Sequence, residues 1–255
     1  MLIDTHAHIY TDDFADDRDI VIQESVKNGI GKILMPNIDA ESLPDVLRVA
    51  EQYPSVCYPM IGLHPTSVNQ DYRQQLDKLG AEYSKHHFTG IGEIGIDLDW
   101  NQTYLEQQKD AFREQLKIAR SCNLPVVIHV RESFREVYTI LIEEQDGTLK
   151  GIFHCFSGSA KDAQMVADIG FFLGIGGAIT YKNSQLPEVL KHVELSRIVL
   201  ETDAPWLTPV PNRGKRNECS YLIYIAQKMA EIYGVTMEEI AMVTTRNAMK
   251  IFTFD

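Results

Sequence analysis

The sequence predicts an α/β protein of eight strand–helix units closed into a (β/α)8, or TIM, barrel. Three observations predict it. Short apolar, β-branched runs alternate with amphipathic stretches along the chain. Strands joined through helices lie parallel, with right-handed crossovers. Eight such units in 255 residues match a closed barrel, and a doubly wound open sheet is the alternative if one strand is miscounted.

The first strand is expected at 2–9 (LIDTHAHI), followed by a helix over 16–28. KILMPNI (32–38) gives the second strand and 42–53 its helix. VCYPMIGLH (56–64) and 70–86 form the third unit. TGIGEIGID (89–97) reads as a buried strand, because its glycines admit close neighbours, and a helix over 102–122 follows. LPVVIHV (124–130) leads to 132–145, and GIFHCF (151–156) to 159–169. FFLGIGGAI (171–179) leads to 186–194. RIVLETDAP (197–205) is the eighth strand. A proline-rich loop follows it, then helices at 217–233 and 236–252. No repeat or long linker breaks this order, so one domain over 1–255 is expected.

Composition narrows the function classes. The chain is 44% hydrophobic and 24% charged, as soluble globular proteins are. No apolar run approaches the roughly 18 residues of a membrane span. The N-terminus enters a strand without a basic segment, so no signal peptide is expected. Cys57, Cys122, Cys155 and Cys219 are widely spaced, which suits reduced thiols in the cytoplasm. The net charge of −12 repels nucleic acid at long range. Two features oppose that: carboxylates gathered around cations reverse the local sign, and Arg213-Gly214-Lys215-Arg216 is a cationic loop. A monomer is slightly favoured.

Six residues end strand-like runs: His6, His8, Glu93, His129, His154 and Asp203. Strand-final positions face the catalytic mouth of this fold. His6 and His8 share a face through period-two spacing. Singly, each histidine reads as a hydrogen-bonded core residue and each carboxylate as half of an ion pair. Together they suit two divalent cations. Nitrogen and oxygen donors without thiolate point to Zn²⁺, Mn²⁺ or Mg²⁺. Cys155 is expected to turn away by strand alternation. Asp4, Asp97 and Glu201 share faces with these residues and are expected to orient imidazoles or to pack locally. His64 ends strand three, where it can touch substrate. Arg131 is either a phosphate contact or half of a surface ion pair, and the loop carrying Arg213 and Lys215 is a phosphate clamp or a solvated turn. Trp206 and Tyr181 offer stacking faces but are expected in the core. No nucleophile elbow, Walker loop or dinucleotide fingerprint is present.

Nearly end to end, the chain resembles the TatD family of metal-dependent deoxyribonucleases. The resemblance rests on Asp4-Thr5-His6-Ala7-His8, Gly62-Leu63-His64-Pro65, Gly92-Glu93-Ile94-Gly95-Ile96-Asp97, and His129 with Arg131. It also rests on His154-Cys155-Phe156-Ser157-Gly158, Glu201-Thr202-Asp203-Ala204-Pro205-Trp206-Leu207, Arg213 to Glu218, and Asn247-Ala248. It implies an amidohydrolase-type barrel, one cation on His6, His8, Glu93 and Asp203, and a second on Glu93, His129 and His154. Two positions depart from the family pattern. Leu98-Asp99-Trp100 stands where a tyrosine usually follows, and Cys219 where a proline usually does. The expected activity is hydrolysis of DNA phosphodiesters, as an exonuclease on single-stranded or frayed ends. Glu93 and Asp203 are its catalytic carboxylates, with Asp203 both a ligand and the base for the attacking water. The alternatives are an amide or ester hydrolase on the same metals, and a binding protein on a retained barrel.

Overall fold

A computed structural model describes residues 1–254. Eight parallel strands lie in sequence order: β1 (Leu2–Asp4), β2 (Ile30–Met35), β3 (Cys57–Ile61), β4 (Gly90–Asp97), β5 (Val126–Arg131), β6 (Gly151–Phe153), β7 (Phe172–Ile175) and β8 (Ile198–Leu200). The helices between them are α1 (Arg18–Lys27), α2 (Leu43–Gln52), α3 (Tyr72–Gly80), α4 (Leu105–Cys122), α5 (Phe134–Glu144), α6 (Ala160–Asp168) and α7 (Leu186–Leu190). After β8 come α8 (Leu222–Tyr233) and α9 (Met237–Ile251). The fold is the expected TIM barrel.

The seam between β1 and β8 is closed by the segments that follow them. The Thr5 amide donates to Leu200, that of Asp203 to His6, and that of His8 to Ala204, at 3.0, 2.9 and 2.7 Å. The first and last strands are therefore shorter than their apolar runs. His6, His8 and Asp203 lie just beyond strand ends, in extended or turned backbone, rather than within strands as expected. His154 likewise sits one residue past β6, whereas Glu93 and His129 lie inside β4 and β5.

Alternating side chains divide the core. One set, including Ile33, Ile61, Ile94, Ile128 and Phe153, packs among the helices. The other gathers Ile3, Leu34, Met60, Val127, Ile152 and Val199 with Ile251 and Phe252 at the end of α9. Phe252 closes the barrel near the first residue of β4. Two positions further along the same faces, Val127, Ile152 and Val199 give way to His129, His154 and Glu201. The lane that floors the barrel with aliphatic carbon thus lines its other end with ionisable groups. Gly95 has φ +148°, and a Cβ there would lie 2.0 Å from the His129 carbonyl oxygen. Only glycine lets β4 approach β5 this closely.

Candidate metal centre

The deepest group is His6, His8 and Asp203, all buried. The His6 and His8 Nε2 atoms are 3.0 Å apart. Asp203 Oδ1 lies 3.7 Å from the first and 3.8 Å from the second. Asp203 reaches this position with φ +57°, a left-handed turn that an aspartate tolerates at a cost in strain. A second group lies nearer the surface. Glu93 Oε1 is 2.7 Å from His129 Nδ1, 3.4 Å from His64 Nε2 and 3.7 Å from His154 Nε2. Glu93 Oε2 faces the deep group, 3.1 Å from His6 Nε2 and 3.6 Å from His8 Nε2. One carboxylate therefore stands between two sets of imidazoles. The His6 and His154 rings stack at 3.5 Å.

Partners behind the rings fix their orientation. Tyr10 is the residue that sequence reasoning missed. Its hydroxyl donates to the Pro36 carbonyl and lies 2.9 Å from His8 Nδ1. A phenol has one proton, so His8 Nδ1 carries the hydrogen and its Nε2 turns a lone pair to the cluster. Asp97 Oδ2 holds His129 Nε2 at 2.9 Å. Glu201 Oε1 is 3.0 Å from His154 Nδ1, at an ion-pair distance rather than in an aligned hydrogen bond. Asp97 and Glu201 thus sit behind imidazoles, as carboxylates do behind metal-bound histidines. Asp4 does not. It accepts from the Thr202 amide and hydroxyl at 2.9 and 2.6 Å, tying β1 to the turn that presents Asp203. Buried amides on one face of α4 were also missed: Gln108 caps the Asp97 amide and Gln115 the Leu63 amide. Their spacing of seven beside Ala111 and Phe112 was the available signal.

His64 carries a distinct signature. Its Nδ1 accepts from the Thr66 amide at 3.2 Å. A backbone N–H can only donate, so Nε2 bears the proton and points an N–H into the site.

Burial raises the charge energies here, and the neighbours decide their sign. Burial pushes Glu93 up, but His64, His6 and His154 override it and hold the carboxylate well below its usual range. Burial pulls His154 down, yet Glu201 and Glu93 lift it to about 10. His129 rises to about 8 against burial, through its hydrogen bonds to Asp97 and Glu93. Burial lifts Asp203 to about 6, with His154 and His8 opposing. Burial and the nearby His154 push His6 far down, so it stays neutral. These groups fit divalent cations. Their donor atoms fall in sets of three within 4.8 Å of one another.

A cleft of about 700 Å³ opens onto the centre. Arg131 lines it, but its guanidinium pairs with Asp99 at 2.6 Å. Arg216 is drawn away into a two-point pair with Asp17, at 2.8 and 2.7 Å. Arg213 covers the Tyr181 ring at 3.9 Å, and neither it nor Lys215 lines the cleft. Cys155 corrects an expectation. The chain leaves β6 before it and turns with φ +46°, so alternation fails and Cys155 lines the cleft. Burial, then the Asp203 carboxylate, pushes its thiol well up, which leaves it protonated and a poor ligand. Trp206 is exposed on the cleft rather than packed in the core.

A barrel mouth that gathers imidazoles and carboxylates around a shared glutamate defines a metal-dependent hydrolase. The chain belongs to the TatD family. The family model described as TatD related DNase matches residues 3–253. The uncharacterized metal-dependent hydrolase YabD of Bacillus subtilis is 38% identical over 253 residues, covering 99% of both chains. The protein named 3'-5' ssDNA/RNA exonuclease TatD of Erwinia tasmaniensis is 31% identical over 98% of this chain and 99% of its own. The crystal structure of YjjV, a TatD homologue from Escherichia coli, superposes with a TM-score of 0.93 at 30% identity, covering 98% of this chain and 97% of that one.

Proposed function

We propose that this chain, working as one cytoplasmic domain, hydrolyses DNA phosphodiesters from an unpaired end. Its site residues are the six metal donors, with His64, Arg131, Arg213 and Lys215 serving substrate. The observation that carries the reading is the division of Glu93. One oxygen faces His6 and the other faces His129, which suits one cation on each side and a shared carboxylate between. Two such cations would supply a Lewis acid at the phosphoryl oxygens and an activated water. His6, His8 and Asp203 would hold the deep cation; His129 and His154 would hold the outer one with Glu93. Asp203, which lines the cleft, would take the proton from the attacking water. His64 would donate its Nε2 hydrogen to a substrate oxygen. The Erwinia name supports a nucleic-acid end as substrate, and the −12 charge disfavours wrapping a long duplex.

Hydrolysis of an ester or amide is the second reading. It is favoured by the pairing of Arg131 with Asp99, because Arg131 is the one Lys or Arg side chain among the residues that line the cleft. Purified protein loaded with Mg²⁺, Mn²⁺ or Zn²⁺ separates the two on end-labelled oligonucleotides and an ester panel. The nuclease reading expects stepwise shortening, reduced about 10²–10⁴-fold in Asp203→Asn at unchanged protein fold. Ester turnover with intact oligonucleotides would reverse the order. Neutralising Arg213 and Lys215 together should raise KM for oligonucleotides. It should also flatten the dependence of log kcat/KM on log salt by about 0.7 per lost phosphate contact.

A further inference from the structure

The chain has two tryptophans, and both stand at the mouth of the candidate centre. Trp100 is 74% exposed and Trp206 47%. Among the described residues, every phenylalanine and tyrosine is buried or half-buried. The exposed aromatic surface is therefore these two indoles, and they share one cleft. Single exposed apolar residues scattered over a surface need no explanation, but this placement does. An indole left in water forgoes the burial that fixes aromatic rings elsewhere in the molecule.

Topology sets them on opposite walls. Trp100 follows β4 and Trp206 follows β8, four strands apart in a ring of eight. The backbone beneath each is held. Asp97 Oδ1 accepts from the amides of Asp99 and Trp100 at 3.0 and 2.8 Å, and the Arg131–Asp99 pair braces the same turn. The Trp206 amide donates to the Asp203 carbonyl at 2.8 Å, and its own carbonyl accepts from Asn217 Nδ2 at 2.6 Å. The Trp206 ring meets His8 edge-on at 5.0 Å. Rings on fixed supports, bracketing a polar centre, suit a ligand that is charged in the middle and flat at both ends.

We propose that Trp100 and Trp206 are stacking platforms for unpaired nucleobases flanking the phosphodiester at the centre. They would make a base-bearing single strand the preferred substrate. The proposal rests on the phosphodiester reading above. A duplex keeps its bases stacked on one another, so only unpaired ends offer free faces. A protein of charge −12 gains little from long-range attraction, so affinity must come from contact, and stacking survives added salt.

Because the chain has only these two tryptophans, its own fluorescence reports the event. The metal-loaded protein is titrated with short phosphorothioate oligodeoxyadenylate and with an abasic phosphorothioate strand of equal length. Cleavage of the matching natural strands is followed in parallel. The base-bearing strand should quench emission and bind about tenfold tighter than the abasic one. That preference should fall in Trp100→Ala, return in Trp100→Tyr, and approach one when Trp100 and Trp206 are both replaced by alanine. Trp206→Phe should keep part of the preference and leave Trp100 as sole reporter. Equal binding and cleavage of base-bearing and abasic strands would overturn the platforms while leaving the phosphodiester reading intact. Cleavage without any change in emission would do the same. Neither binding nor cleavage of any strand would overturn both.

Discussion

The two halves of the centre are built differently from the same kinds of residue. The deep half, His6, His8 and Asp203, is held by backbone that stitches the barrel seam, and its rings meet one another, Tyr10, Glu93, His154 and Trp206. The outer half, with His129 and His64, is partly exposed, and a carboxylate backs the His129 ring. In the deep half burial keeps His6 neutral, so one of its ring nitrogens carries a lone pair for a cation. In the outer half Asp97 and Glu93 keep His129 protonated to about pH 8, so a cation there competes with a proton. Similar donors therefore yield a ready site and a pH-gated site, and the difference lies in what stands behind the rings.

The strongest way to break this comparison is Glu93→Gln. If the carboxylate is shared, its loss should empty both halves and lower kcat on the order of 10³-fold, since cation charge contributes several kcal/mol. Elemental analysis of the purified variant checks this, and one retained equivalent of metal would show that the carboxylate is not shared. A pair of single variants separates the halves. His6→Ala should abolish the tighter class of metal binding, whereas His129→Ala should weaken only the second equivalent, as titration calorimetry would resolve.

Asp97→Asn should sharpen the contrast in pH dependence. In the native protein, outer-metal affinity should climb about a hundredfold per pH unit below 8, where His129 and His154 must both lose a proton to bind, and about tenfold per unit from 8 to about 10, where only His154 still must. Without Asp97 the ring loses its largest support for the charged form. The steeper part of the rise should then end at lower pH, and the affinity above it should drop about 10–100-fold. Calorimetry between pH 6 and 9 measures both, and an unmoved change of slope would remove Asp97 from this role. The smallest effect is expected far from either half. Arg216→Ala breaks the half-exposed pair with Asp17 and should cost roughly 0.5–1 kcal/mol, or about 1–4 °C in melting temperature. Asp17 is held below its usual 3.8, chiefly by the Arg216 hydrogen bonds, so the loss should be full at neutral pH and vanish as pH falls below that value. Melting curves at pH 7 and pH 3 test the sign.

Much of this was written in the chain. Alternating apolar runs determined eight parallel strands, because a strand buried on both faces needs continuous β-branched residues and its crossover needs an amphipathic helix. Histidines and carboxylates closing those runs marked the six residues that now converge. Tertiary structure alone decided the rest. Strand alternation placed Cys155 away from the cleft, but alternation holds only while the ladder continues, and β6 ends two residues earlier. Face-sharing left Asp4 either behind an imidazole or packed locally, and the seam decided for Thr202. Spacing said nothing of Tyr10 and His8, since the tautomer is set by a carbonyl on the next strand's loop. Nor could composition place Trp100 and Trp206 across one opening: their sequence separation is large, and only barrel closure makes β4 and β8 face each other. A linear pattern records which side chains a strand must bury, while the partner each polar atom finds depends on where distant strands end.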